Sequence, residues 1–198
     1  KTFSDSYFQK IYGLTQDPKT NSFMFVMEFA IHGDLHNYLL KNLDILSWKE
    51  KLDILLLIAR NLKELHDKDI IHCDFHSGNI LINHGDPKIN VKICDFGTSK
   101  LADVSSDYNE VYGVISYIAP EVFKHGHYTK KSDIYSLGMI IWEVMSGYKP
   151  FYGREHDVTL ILDILDGLRP NFIEGIPKEI NDLMKKCWEN DPLKRPTA

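Results

Sequence analysis

His72-Cys73-Asp74-Phe75-His76-Ser77-Gly78-Asn79-Ile80-Leu81, read together with Asp95-Phe96-Gly97, decides the fold of this 198-residue chain. Ile70 and Ile71 precede the first stretch, and a second apolar run, residues 80–82, closes it. Short apolar runs on either side of polar residues read as two strands flanking a loop. Asp74 and Asn79 sit on that loop, five positions apart. Residues 91–94 read as a further strand that delivers Asp95 at its end. One carboxylate, Asp74, and two oxygen ligands, Asn79 and Asp95, can therefore meet in one cleft.

Phosphoryl transfer uses such a set. Mg²⁺ prefers hard oxygen ligands, and a nearby carboxylate orients the acceptor hydroxyl. The alternation of His72, Asp74 and His76 also fits a metal site, because alternate residues of a strand share a face. No second His/Asp cluster in the sequence supplies further ligands, so His72 reads instead as a core residue.

The rest of the composition narrows the class. Apolar residues make up 43% and charged residues 26%, which suits one globular domain with a sizeable core. A net charge of −5 with no Lys/Arg block argues against a nucleic-acid partner. Cys73, Cys94 and Cys187 form no CxxC and no even-numbered framework, which points to free thiols in a reducing, cytoplasmic setting. The longest strongly apolar run, residues 54–59, is too short to span a bilayer, so no membrane insertion is expected. Nothing in the sequence sets an oligomeric state.

Along the chain, residues 11–14 and 23–29 read as strands joined by an Asp-Pro-Lys-Thr-Asn turn. A short helix is expected over residues 35–40. Ser47 and Glu50 form a capping box for a helix running to about His66, with Leu52, Leu55, Ile58, Ala59, Leu62 and Leu65 on its core face. Residues 83–90 read as a polar turn around Gly85 and Pro87. Residues 98–112 read as an exposed segment without period, carrying Ser105, Ser106 and Tyr108. A strongly apolar helix is expected from Ser132 to Gly147, buried on nearly all sides. Two more helices follow, over residues 158–165 and from Pro177 to about Trp188.

Six separated blocks in one order resemble the eukaryotic protein kinases. They are Val26-Met27-Glu28-Phe29-Ala30, the loop around Asp74, Asp95-Phe96-Gly97, Ala119-Pro120-Glu121, the block from Ser132 to Gly138, and Arg195. The Cys187-Trp188, Asp191-Pro192 and Arg195-Pro196-Thr197 ending looks most like the tyrosine-kinase-like serine/threonine type. The resemblance implies an α+β, protein kinase-like fold. Residues 1–30 would be a remnant of the small lobe and hinge, and residues 31–198 a mostly helical large lobe with an incomplete C-terminal end. It implies transfer of the γ-phosphate of ATP to Ser/Thr, or Tyr, of a protein substrate, with Mg²⁺.

The same resemblance assigns roles. Asp74, His76 and Asn79 would be catalytic: Asp74 would orient the substrate hydroxyl or take its proton, and His76 would face the γ-phosphate. Asn79 and Asp95 would hold Mg²⁺. Met27, Glu28, Ala30, Asp34, Leu81 and Asp95 would line the ATP site, with Met27 as gatekeeper and Leu81 as floor. His72 and Phe96 would stack in a column over Asp133, a backbone anchor. Glu121 and Arg195 would form a buried ion pair.

The sequence departs from the family pattern in places. Cys73 replaces the arginine that pairs with a phosphorylated loop, so activity should depend less on phosphorylation of Ser105, Ser106 or Tyr108. His76 stands where serine/threonine kinases carry lysine, and Val114 where they carry threonine. No Gly-x-Gly-x-x-Gly occurs, and no lysine-bearing strand or glutamate-bearing helix precedes Ile11. The chain thus reads as a kinase-domain fragment with a weakened phosphate clamp and impaired transfer. Two alternatives stand beside this reading. One is a truncated pseudokinase or scaffold that binds protein partners. The other is a small-molecule phosphotransferase of the aminoglycoside or choline kinase type, whose loop often carries a histidine at the position of His76.

Overall fold

The structure, a computed structural model, describes residues 7–85, 88–102 and 111–198. Ser105, Ser106 and Tyr108 lie outside the described residues. The architecture is α+β: six helices and three small antiparallel strand pairs among the described residues. Strands β1 (Ile11–Gln16) and β2 (Phe23–Met27) pair as a hairpin. It stands apart from the core: Ile11, Leu14, Phe23 and Phe25 each keep more than half their surface exposed.

Asp34 starts helix α1 (Leu35–Asn42) by accepting the Asn37 N–H at 2.9 Å. Leu35, Tyr38 and Leu39, spaced i, i+3 and i+4, are its buried face. Helix α2 (Trp48–Asp67) opens with both arms of the Ser47–Glu50 capping box formed. Its core face meets the sequence expectation at Ile58, Leu62 and Leu65 and departs from it at Leu52, Leu55 and Ala59. The buried stripe is Ile54, Ile58, Asn61, Leu62, Leu65 and His66, whereas Leu52 is 44% exposed and Leu55 and Ala59 are half-buried. The reason is a second apolar face. Leu52, Leu55, Leu56 and Ala59 border a groove of about 270 Å³ shared with Ile141 and Leu183.

Four short strands follow: β3 (Ile70–Ile71), β4 (Ile80–Gly85), β5 (Lys88–Ile93) and β6 (Lys100–Leu101). β4 pairs with β5, and β3 with β6, so the strands on either side of the Asp74 loop belong to different pairs. β6 falls inside the segment read from sequence as structureless. The expected turn over residues 83–90 is instead mostly strand, with pairing carried out to Gly85 and Lys88. Backbone pairing extends beyond the hairpin. The Ile82 N–H bonds Gly33 O, the His32 N–H bonds Ile82 O, and Gln9 and Tyr7 bond Ile93 on the far edge.

The second half of the chain is helical: α3 (Pro120–His125), α4 (Lys130–Ser146), α5 (Val158–Leu165) and α6 (Lys178–Cys187). α4 is buried from Ser132 to Met145 and is the centre of the core. It begins two residues before the sequence reading placed it. Thr129 is the cap, and Ser132 is the third helical residue, which returns the capping bond. α4 ends at Gly147, whose φ of +81° suits glycine; a β-carbon there would lie 2.1 Å from Leu43 Cδ2.

Candidate active site

The loop between β3 and β4 is pinned from below by α4. Asp133, 2% exposed, accepts the backbone N–H groups of His72 at 2.9 Å and Cys73 at 3.2 Å, and His66 Nε2 at 2.9 Å. This clamp holds Cys73 at a φ of +69°, a conformation that side chains other than glycine rarely adopt. Asp95 has a positive φ as well, +59°, so both stretches that carry the candidate chemistry are backbone-strained.

His72 is fully buried and both ring nitrogens are used. Nε2–H donates to Cys94 O at 3.0 Å, and Nδ1 accepts the Asp74 N–H at 3.3 Å. The ring contacts Phe96, which in turn meets Phe8 edge-on at 5.4 Å. With no nitrogen left over, His72 has none to offer a metal. Among the described residues, no three His, Cys, Asp or Glu side chains converge on a metal position.

Burial pushes the His72 pKa below its ordinary value, against the opposing pull of Asp133. The unfolded chain therefore binds a proton that the folded chain resists. Stability from this residue is complete above about pH 6.5 and falls as pH drops from there toward the folded value. Urea midpoints measured from pH 7.5 to 5 should decline more steeply for the wild type than for His72→Gln. Parallel slopes would contradict this account.

Asp74 is half-buried, and Asn79 holds it. Asn79 Nδ2 donates to the Asp74 carbonyl at 2.9 Å and to its carboxylate at 3.3 Å. The Asn79 carbonyl accepts the Cys94 N–H at 3.0 Å, which ties the loop to the strand end that presents Asp95. Asp95 is exposed, and its carboxylate accepts the Gly97 N–H at 3.3 Å. His76 Nε2 lies 3.5 Å from Asp74 Oδ1, and this interaction is the largest cause holding the Asp74 carboxyl below its usual range; burial opposes it. Asp74, His76 and Asn79 thus lie against one another, and the Asn79 backbone ties them to the residue before Asp95.

Behind the loop runs a network that sequence reasoning missed. Ser77 Oγ meets Tyr117 OH at 3.2 Å, Tyr117 OH donates to Glu143 at 2.6 Å, and His36 Nδ1 bonds the other Glu143 oxygen at 2.8 Å. Burial, reinforced by Glu143, pushes the Tyr117 phenol pKa far up, so it remains a donor. A glutamate inside the apolar stretch of α4 was the available signal.

The predicted nucleotide-side residues lie along one edge. Met27 is 44% exposed at the end of β2. The Glu28 backbone N–H bonds Lys10 O at 2.8 Å, and its carbonyl accepts Gln9 Nε2 at 3.1 Å; a carbonyl has a second lone pair to offer. The Glu28 carboxylate meets Lys92 Nζ at 2.5 Å, and that contact holds it below the usual carboxylate range. Lys92, 6% exposed on β5, was not singled out from sequence, although a lone lysine in an apolar strand asks for a partner. The Ala30 carbonyl closes a turn onto Gly33 N–H, and Asp34 bridges antiparallel to Leu81. Both carboxylate oxygens of Asp34 are engaged by Asn37.

At the other end, Arg195 and Glu121 form a two-pronged ion pair at 2.6 and 2.8 Å. Arg195 is 2% exposed, also bonds the carbonyls of Lys131 and Glu189, and lies over the Tyr135 ring. The Cys73 thiol, 4% exposed, has its pKa pushed up to about 12 by burial, so it carries no charge at neutral pH and cannot attract a phosphate. Phosphatase treatment is therefore expected to change activity less than twofold, a rough bound for an absent charge pair; a strong loss would contradict it.

This constellation, on a helical body that clamps a strained acidic loop, is that of a phosphoryl-transfer lobe. A family model described as protein tyrosine and serine/threonine kinase matches residues 1–198, and the chain belongs to that family of ATP-dependent phosphotransferases. It is similar to mitogen-activated protein kinase kinase kinase 7 of Drosophila melanogaster, 37% identical over 182 residues, covering 87% of this chain and 25% of that protein. It is 36% identical over 183 residues to serine/threonine-protein kinase VIK of Arabidopsis thaliana, covering 88% of this chain and 41% of the relative. RGS domain-containing serine/threonine-protein kinase A of Dictyostelium discoideum is 32% identical over 177 residues, covering 89% and 15%. The chain thus spans less than half the length of each of these relatives. Among the described residues no helix is long and apolar enough to cross a membrane.

Proposed function

We propose that this chain transfers the γ-phosphate of ATP to a serine or threonine hydroxyl of a protein substrate. Residues 31–198 supply the large lobe and residues 1–30 the strands on the hinge side. The observation that carries the reading is the double tie of Asn79, to Asp74 through its side chain and to the Asp95 turn through its carbonyl. Asp74 orients the acceptor hydroxyl and receives its proton; its lowered pKa keeps it ionised for that task. The donor set fits Mg²⁺: Asn79 spends its Nδ2 on Asp74, which turns Oδ1 away from that residue, and Asp95 adds an exposed carboxylate. Bound there, Mg²⁺ would neutralise phosphate charge. Met27, Glu28, Ala30, Asp34 and Leu81 border the nucleotide.

The serine/threonine preference rests on the names of the relatives above. The intact Asp74, Asn79 and Asp95 favour catalysis over a scaffold role, and the Glu121–Arg195 pair and α4 favour a protein substrate over a small molecule. Three free, buried cysteines suit the cytoplasm. The test is transfer of labelled phosphate from Mg·ATP to a serine-containing protein. Asp74→Asn and Asp95→Asn should each lower the rate by about a hundredfold or more. Activity that survives both changes would overturn the proposal.

A further inference from the structure

His76 does more than face Asp74. Its ring folds back over the turn that follows, and Nδ1 accepts the Gly78 N–H at 3.0 Å, which caps the short turn Ser77–Asn79. That bond leaves the ring hydrogen on Nε2, the nitrogen 3.5 Å from Asp74 Oδ1. The Tyr117 ring lies beside the imidazole at 5.9 Å, and Tyr117 is held by Ser77 and Glu143. The imidazole is thus fixed on three sides.

Gly78 fits around that ring. Its φ is not in the left-handed region, so the backbone there does not require glycine. A β-carbon on Gly78 would lie 2.8 Å from His76 Cε1 and 3.0 Å from Nδ1. The ring itself therefore explains the missing side chain. A lysine at position 76 could reach a phosphate but has no acceptor for the Gly78 N–H.

We propose that His76 is a positioning residue: its imidazole is a strut between the Asp74 carboxylate and the turn that carries Asn79, and Gly78 is the space that strut needs. The proposal rests on the roles given above to Asp74 and Asn79. It makes residues 76 and 78 one coupled unit, and it makes lysine a poor substitute for this histidine.

The test uses the full 198-residue chain with His76→Ala, Gly78→Ala, the double variant, His76→Asn and His76→Lys. Nitrogen-15 NMR of the histidine rings should find the His76 hydrogen on Nε2 in the wild type and a disturbed ring in Gly78→Ala. Each alanine variant should shift the unfolding equilibrium by about fivefold, the effect of one lost cap. It should also lower kcat by about tenfold or more with KM for ATP little changed. The double variant should lose less than about twofold beyond His76→Ala, because the clash vanishes with the ring. His76→Asn, whose side-chain oxygen can cap Gly78, should recover stability; His76→Lys should not.

Additive losses in an active protein, a hydrogen on Nδ1, or full activity in His76→Lys would each overturn the strut and leave the kinase reading intact. A wild type that neither transfers phosphate nor binds Mg·ATP in a way that Asp95→Asn weakens, while the stability cycle still shows coupling, would overturn the kinase reading and the strut's service to Asp74. Cooperative melting of His76→Asn guards against mistaking a misfolded alanine variant for a result.

Discussion

Asp133→Ala is expected to destabilise the protein by about 3 kcal/mol or more, from three abandoned buried donors at about 1–3 kcal/mol each. The donors are the N–H groups of His72 and Cys73 and the ring of His66. Such a loss is a large part of the roughly 5–15 kcal/mol that keeps a domain folded. It falls on a loop that needs restraint, because Cys73 stands at a φ of +69° with its N–H on one Asp133 oxygen and that of His72 on the other. Asp133→Asn keeps one acceptor oxygen and should cost less. Denaturant midpoints read both variants, and an alanine variant within about 0.5 kcal/mol of wild type, the usual size of a neutral surface change, would contradict the clamp.

Gly113→Ala should do the reverse, with a modest effect on folding and a severe one on chemistry. A β-carbon at Gly113 would lie 2.8 Å from Asp74 Oδ1, inside contact distance, so the carboxylate must move. A displacement of this size at a reacting group can lower a rate by about a hundredfold. The φ of +109° adds backbone strain of about 1–3 kcal/mol. Gly175→Ala separates the two effects. Gly175 also has a positive φ, +78°, but nothing stands within 4 Å of its β-position. Its variant should lose stability and keep kcat. If Gly113→Ala and Gly175→Ala behave alike in a phosphotransfer assay, the steric argument fails.

What the sequence disclosed and what it concealed separate by distance along the chain. The Ser47–Glu50 box, the helix Val158–Leu165 and the loop around Asp74 depend on neighbours a few residues away, and all were readable. The buried face of α2 was readable only in part, at Ile58, Leu62 and Leu65, because periodicity finds an apolar stripe but cannot choose between two. Ile54 and Ile58 turn toward the core, while Leu52 and Leu56 turn toward the groove beside α4 and α6. β6 was hidden in a polar segment, since its pairing with β3 uses backbone alone over two residues. The Lys92–Glu28 contact spans 64 positions and the His36–Glu143 contact 107. In the candidate site, the family pattern named Asp74, Asn79 and Asp95 and the supports Asp133, His72 and Phe96, but not the Ser77–Tyr117–Glu143–His36 network or the glycines packed against the loop. Gly113 and Gly78 are defined by an absent side chain, and only the atoms of Asp74 and His76 beside them give that absence a meaning.

The β4–β5 hairpin has backbone partners on both edges, residues 32–33 on one side and residues 7 and 9 on the other. In the language of hydrogen exchange, this puts the Ile82 and Ile93 amides among those expected to open late, closed on each flank by a segment remote in sequence. Among the described residues the β1–β2 hairpin has no such cover on its exposed faces, and it is expected to open early. Asn79 immediately precedes β4 and Cys94 immediately follows β5, so the groups assigned to metal and hydroxyl ride on a slow clock. Strands β1 and β2 keep a faster one, and the boundary between the two regimes runs through the contact between Glu28 and Lys92.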